Sequence, residues 1–278
     1  MNIVDTHQHL WDLGRFPYSW CAGIPALNRT FALADYLAAA EGAGIVKTLF
    51  VECDVDEPHT LDEARHIQNL ADENPLIAGI VAGARPERAD FSQNLAELLK
   101  LPKLRGIRRV LHIVPDEVSQ SPLFAENVRL LAAHSLTFDL CVLARQLPIA
   151  TALVEKCPDV TFVLDHCGVP DIKNQALDPW RDDIRRLSQL PNAACKISGI
   201  AAYGDGEKWT PADLRPFVDH VIECFGWDRV LFGTDWPVCN LGGNLRRWLE
   251  AALLLTGDAP ESTRNRFFSQ NAQRLYRL

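Results

Sequence analysis

The chain has 278 residues, a formal net charge of −8 at pH 7, 47% hydrophobic residues and 23% charged residues. This is the balance of a globular protein that can bury a core without disulfide staples. The acidic balance, with no basic run, excludes nucleic acid as an expected partner, and no apolar stretch approaches the roughly 20 residues that span a bilayer, so no membrane is expected either.

Short, largely apolar, β-branched runs alternate with amphipathic ones. In chain order the strand candidates are 2–9, 46–53, 76–84, 104–112, 136–143, 160–168, 193–200 and 229–236. Runs of this kind suit parallel strands covered on both faces. Between them, 31–44, 59–74, 92–100, 123–134, 148–157, 179–190 and 211–226 repeat apolar residues at three and four, as helices do. In 59–74, for example, Leu61, Ala64 and Ile67 share a face. Pro148, Pro179 and Pro211 stand near helix starts, where a missing N–H costs little. A closing helix is expected over 260–276.

Eight strand–helix units predict an α/β fold, a closed (β/α)8 TIM barrel in one domain over 1–278, with its active site on the C-terminal face. No Gly-rich phosphate fingerprint follows the first strand, which argues against a dinucleotide-binding sheet. The longest irregular piece, 10–30, follows the first strand and is expected to wall or cover the site. The eight cysteines form no CxxC pair, and several lie in apolar runs such as DLCVL and AACKI. With an N-terminus, MNIVDTHQHL, in which no basic segment leads an apolar one, they predict reduced, buried thiols in a cytoplasmic protein. The oligomeric state is left open, a homo-oligomer included.

Catalytic groups of a parallel barrel come from the C-terminal ends of its strands. The first strand ends in His7 and His9, which period-2 alternation points the same way. The sixth ends in Asp165-His166 and the eighth in Thr234-Asp235. Singly, each has a bland reading: a chance HxH, a hydrogen-bonded polar residue, a helix cap. Together they place three imidazoles and a carboxylate round one point. That set suits a divalent metal such as zinc, or a proton-transfer cluster without metal.

The segments DTHQHLWD, LDHCGVP, KISGI and LFGTDWPVC, in that order, resemble the amidohydrolase superfamily. Within it they resemble the lactonase branch, which holds L-fuconolactone and L-rhamnonolactone hydrolases and 2-pyrone-4,6-dicarboxylate lactonase. The resemblance implies a small-molecule lactone as substrate. It carries over His7 and His9 as the first-strand HxH, His166 as the sixth-strand histidine and Asp235 as the eighth-strand aspartate. These four are then both the catalytic residues and the ligands of one divalent metal, zinc first, with metal-independent catalysis as the alternative. Many superfamily members bridge two metals through a lysine on strand four or five, but neither strand has one here, so a binuclear centre is not expected.

The expected reaction opens a sugar lactone of the L-fuconolactone type to its hydroxy acid, with Asp235 as base on the attacking water. The histidines either hold the metal or polarise the carbonyl themselves. Arg108 matches the fourth-strand arginine of the resembling family. Alternation sets it on one face with His112, both toward substrate, and turns Arg109 toward a salt bridge under the helices. Lys196 is expected either to reach substrate or to pair with a buried acid. Asp165 is expected to alternate away from His166, toward a supporting role behind the ligands or a hydrogen bond on the helix side. Trp11, Trp20 and Trp236 offer stacking faces, of which one is expected to touch substrate. Asp54 and Glu57 of ECDVDEP face either sugar hydroxyls or solvent. The few basic groups, Arg108, Arg15 and Lys196, favour a neutral lactone over a diacid. The rival readings are a decarboxylase of aromatic acids built on the same residues and a barrel that binds without turnover.

Overall fold

The computed structural model describes residues 1–278. Eight parallel strands follow one another round the sheet in sequence order: β1 (Ile3–Gln8), β2 (Ile45–Val51), β3 (Ile77–Gly83), β4 (Leu104–Val110), β5 (Thr137–Cys141), β6 (Thr161–Leu164), β7 (Ala193–Ile197) and β8 (Val230–Phe232). Between them run α1 (Leu33–Ala39), α2 (Thr60–Glu73), α3 (Phe91–Leu98), α4 (Glu117–Gln120), α5 (Pro122–Arg129), α6 (Leu147–Lys156), α7 (Trp180–Ser188) and α8 (Pro211–Phe225). After β8 come α9 (Leu245–Leu255), α10 (Glu261–Asn265) and α11 (Asn271–Tyr276). The expected closing helix is thus two helices, joined by one wide turn over Arg266–Gln270. No helix is long and apolar enough to cross a membrane.

Period-2 alternation divides the apolar side chains between two layers. Phe50, Ile80, Ile107, Phe138, Phe162 and Phe232 pack outward against the helices. Val4, Leu49, Val81, Val163, Ala194 and Leu231 fill the lower barrel, where Tyr276 of α11 packs among them as a plug. Above that layer the interior is charged. The seam between β8 and β1 is closed near the C-terminal end: Thr6 Oγ1 donates to the Phe232 carbonyl at 2.6 Å and His9 N to the Trp236 carbonyl at 2.8 Å.

Two strands fall furthest short of their sequence patterns. β6 stops at Leu164 and β8 at Phe232, because the next residues turn sharply. His166, Cys167 and Asp235 have φ of 53°, 56° and 58° in the left-handed region, which few non-glycine residues adopt. The strands end early so that His166 and Asp235 can turn into the mouth.

The 10–30 segment is a wall clamped at both ends. Trp11 N and Phe31 N each donate to the other's carbonyl, at 3.1 and 2.9 Å. Within it, Trp20 Nε1 donates to the Cys53 carbonyl at 2.8 Å, and the Tyr18 hydroxyl donates to Glu63 Oε1 on α2 at 3.0 Å. Glu63 is fully buried with no cation bonded to it. Burial, then the nearby Glu52 charge, pushes its carboxyl up to about 8.

This carboxyl generates a pH signature. The folded chain holds the Glu63 proton more tightly than the unfolded chain, so stability falls as pH rises from the ordinary carboxylate range through about 8. Glu63→Gln removes that loss and keeps an acceptor for Tyr18. Thermal melts are expected to show the variant gaining on wild type at pH 8.5, with the gain shrinking toward pH 5.5.

Candidate active site

The site is assembled across the β8–β1 seam by Asp5. Its Oδ1 accepts from Thr234 N at 2.7 Å and His7 N at 3.1 Å. Its Oδ2 accepts from Thr234 Oγ1 at 2.6 Å and from the Tyr36 hydroxyl of α1 at 2.9 Å. Burial raises this carboxyl to about 6 against the pull of those four bonds. A register shift between Asp5 and Gln8 lets Asp5 face outward while His7, two residues on, faces in. Asp235 N then donates to the His7 carbonyl at 2.7 Å, so the two site strands share a rigid join. Gly199 completes the packing. Its φ is +65°, and a Cβ there would stand 2.4 Å from Asp235 Oδ2 and 2.7 Å from His166 Nδ1, so only glycine fits.

The three imidazoles share one orientation. His9 Nδ1 lies 2.8 Å from the Val51 carbonyl, His166 Nδ1 3.2 Å from the Ser198 carbonyl, and His7 Nδ1 3.3 Å from Asp165 Oδ1. Carbonyls and carboxylates only accept, so Nδ1 of His9 and of His166 carries the hydrogen; at His7, where Lys196 Nζ also lies 3.4 Å from Nδ1, Arg108 Nη1 donates to Nε2 from 3.3 Å and leaves the hydrogen on Nδ1. The Nε2 lone pairs converge. His7 Nε2 is 3.1 Å from His9 Nε2, and Asp235 Oδ1 lies 3.3, 3.7 and 3.9 Å from the Nε2 atoms of His9, His7 and His166. Ligand atoms of His7, His166 and Asp235 all fall within 4.8 Å of one another. Burial keeps the rings neutral, pushing His9 down to about 3 and lowering His7 and His166. Asp235 is raised to about 6 by burial, opposed by His166 and Arg108, and its buried Oδ2 has no hydrogen-bond partner. Four acceptors facing one point, each supported from behind, form a donor set fit for a divalent metal.

Behind them lies a chain of alternating charges. Lys196 Nζ is 2.6 Å from Asp139 Oδ2 and 3.1 Å from Asp165 Oδ1, and the Tyr276 hydroxyl donates to Asp139 at 2.8 Å. Arg108 Nε donates to Glu52 Oε1 at 2.7 Å, and Nη1 reaches Asp165 Oδ2 at 3.4 Å. Against the effect of burial, Lys196, His7 and Arg108 hold the Asp165 carboxyl well below the usual range. Three expectations are decided here, the first two between alternatives and the third by correction. Lys196 is 0% exposed and spent on two carboxylates, so it does not face substrate. Asp165 does not turn toward the helices: it shares the inward face of Val163, and the left-handed turn brings His166 in beside it. Trp236 is buried against Phe31 and Tyr36, outside the cavity. Arg109 pairs with Glu87 at 2.9 Å, as alternation predicts.

The metal-type cluster forms the floor of a cavity of about 390 Å³. Arg108, His112, Trp11 and Trp20 line it with His9, His166 and Asp235; Arg15 does not. Sequence reasoning missed Tyr203, whose ring lies 6.4 Å from that of His166, and the apolar wall of Ile24, Leu27, Val238 and Leu241. Their one sequence signal was position in the loops that follow strands.

Removing the buried cation should expose the cost of this arrangement. Lys196→Met leaves Asp139 and Asp165 without their shared counter-charge, and chemical denaturation should show a loss of about 3–5 kcal/mol.

Comparison with known proteins agrees with this geometry. The chain is 32% identical over 277 residues to an L-fucono-1,5-lactonase of Burkholderia multivorans, covering 90% of this chain and 89% of that one. It is 28% identical to an L-fucono-1,5-lactonase of Burkholderia ambifaria, covering 99% and 95%. A crystal structure of an amidohydrolase from Burkholderia multivorans with bound zinc superposes over the whole of both chains, with a TM-score of 0.90 and 27% identity. From the second residue of the seam strand to the end of the chain beyond the Tyr276 plug, residues 4–278 match the profile of the amidohydrolase family, and the chain belongs to that family.

Proposed function

We propose that this protein hydrolyses a sugar lactone of the L-fuconolactone type to its open hydroxy acid. The observation that carries the reading is the convergence of three imidazole lone pairs and Asp235 on the floor of a cavity sized for one sugar ring. The names of the two Burkholderia relatives support the lactone, and their L-fucono-1,5-lactone is the substrate we carry over.

Asp235 Oδ2, without a partner in the protein, takes a proton from water as the water oxygen bonds to the lactone carbonyl carbon. The tetrahedral adduct then collapses, the ring C–O bond breaks, and Asp235 returns the proton to the departing ring oxygen. A carboxyl at about 6 is ionised at pH 7 and basic enough to receive that proton. The Tyr203 hydroxyl, on the cavity wall beside His166, is a donor for the adduct's oxyanion. The histidines do not polarise the carbonyl themselves. Their Nδ1 hydrogens face the protein and their Nε2 atoms have none to give. His7, His9, His166 and Asp235 Oδ1 instead hold a divalent metal, zinc by donor type and by the zinc bound in the Burkholderia multivorans structure, which supplies Lewis-acid polarisation and a more acidic water.

The test is acid release from L-fucono-, L-rhamnono-, L-galactono- and D-arabinono-lactones, before and after chelation. Wild type is expected to release acid without CO2, lose activity on chelation and recover with zinc. Asp235→Asn should lower kcat by about 10³-fold. No hydrolysis of any lactone by the zinc-loaded protein overturns the reading. Separately, Tyr203→Phe is expected to lower kcat by about 10²-fold with little change in KM.

A further inference from the structure

The cavity is uneven in a way that the reaction does not explain. One wall, formed by Trp20, Ile24, Leu27, Val238 and Leu241, is apolar. Among the groups that line the rest, Asp54 stands out. It is a carboxylate with only 21% of its side chain exposed, yet no N–H or O–H donates a hydrogen bond to it. Its nearest cation is Arg85, at 3.8 Å. At that exposure the carboxylate is open to the cavity, and no protein donor competes with a ligand for its lone pairs.

The backbone holds Asp54 in place. Its φ of 49° lies in the left-handed region, and its N–H donates to Glu52 Oε2 at 2.6 Å. Two residues on, Asp56 N donates to the Pro17 carbonyl at 3.0 Å and Asp56 Oδ1 accepts from Ser19 N at 2.9 Å, which pins this loop to the 10–30 wall. Glu57, the other acid of the segment, lies outside the cavity lining and pairs with Arg88 at 2.7 Å. The carboxylate is thus fixed against the cavity with its lone pairs unused.

The cavity's one arginine cannot balance an incoming anion. Arg108 gives Nε to Glu52, Nη2 to the Glu52 carbonyl and Nη1 to Asp165. His9 and His166 turn their Nδ1 atoms to the Val51 and Ser198 carbonyls and present only acceptor Nε2 atoms to the floor. Beyond the metal proposed for the floor, an anionic ligand would meet the Asp54 carboxylate and find no unpaired side-chain cation in the lining, while a ring bearing hydroxyls supplies the donors that Asp54 lacks.

We propose that Asp54 is the specificity-determining residue of this site: its carboxylate accepts hydrogen bonds from hydroxyls of a neutral, polyhydroxylated lactone and turns carboxylated lactones away. The inference rests on the lactone reading above and names the feature of the substrate that the site reads. Burial and Glu52 raise the Asp54 carboxyl to about 6, in keeping with a carboxylate short of donors.

The experiment compares zinc-loaded wild type, Asp54→Asn and Asp54→Ala on three substrates: L-fucono-1,5-lactone, δ-valerolactone, which has no hydroxyl, and 2-pyrone-4,6-dicarboxylate. Hydrogen bonds to a charged acceptor contribute roughly tenfold or more each. In Asp54→Ala the kcat/KM ratio of fuconolactone to valerolactone should fall at least tenfold, mainly through KM. In Asp54→Asn the ratio of dicarboxylate to valerolactone should rise. Ratios equal to wild type in both variants overturn the proposal while leaving lactone hydrolysis standing. Calorimetry with L-fucose, a neutral hydroxylated ring, reads the same contact without turnover. A Kd at least tenfold weaker in Asp54→Ala supports the proposal even where no lactone is hydrolysed, and an unchanged Kd overturns it.

Discussion

The site depends on one buried carboxylate that never touches it. Asp5 accepts two hydrogen bonds from Thr234, one from His7 N and one from Tyr36. A parallel barrel must join its last strand to its first, and β8 is only three residues long. Backbone pairing over so short a strand is a weak fastening. Asp5 fastens the two ends through side-chain bonds, one residue from Asp235 and two from His7. The relative position of Asp235 and His7 is therefore set by the same contact that closes the barrel. Burial of Asp5 is tolerated because every lone pair facing the seam has a donor.

The second constraint is electrostatic. Small barrels usually fill their interiors with branched apolar side chains. Here that filling stops at the layer of Val4, Leu49, Val81, Val163, Ala194 and Leu231. Above it, Asp139, Lys196, Asp165, Arg108 and Glu52 alternate in sign, each within 3.4 Å of its neighbour. Apolar replacements of similar volume would often serve stability as well or better, since two desolvated charges recover little beyond what burial costs them. What apolar residues could not do is hold His7 in one tautomer. Asp165 does that, and Lys196 and Arg108 keep Asp165 ionised while it does so. Tyr276 closes the chain of charges from below and keeps water from its lower end.

The barrel was legible in the chain because its signal is periodic. Eight apolar runs separated by amphipathic ones leave few other folds, and HxH at the first strand end pointed to the mouth. What escaped reading was non-periodic. Alternation predicts side-chain direction only while the backbone stays extended, and His166 and Asp235 sit where it does not. Asp165 keeps the supporting role expected of it behind the ligands, but it reaches His7 from the inward face, beside His166. Lys196 stayed open between substrate and a buried acid because sequence shows a charge but not the two acids, 57 and 31 residues upstream, that neutralise it. Trp236 was drawn toward substrate by its nearness to Asp235 in sequence, but the turn at Asp235 sends it to Phe31 and Tyr36. Tyr203 and the apolar wall lie in loops, where position in sequence says little about position in space.

The barrel also writes the chemistry of its mouth through its backbone. Two of the three Nδ1 hydrogens are taken by main-chain carbonyls, Val51 at the end of β2 and Ser198 just past β7. These acceptors are products of strand geometry and do not titrate. They set the Nδ1–H tautomer of neutral His9 and His166, and Asp165, just past β6, does the same for His7. A cluster meant to donate a proton would leave at least one of these hydrogens facing in. Here all three face out, and Asp235 Oδ1 adds a fourth acceptor. Lone pairs gathered this closely repel unless a cation stands near them; Arg108 Nη1, 3.3 Å from His7 Nε2, is one such donor, and the remaining acceptors give the floor the chemistry to hold another.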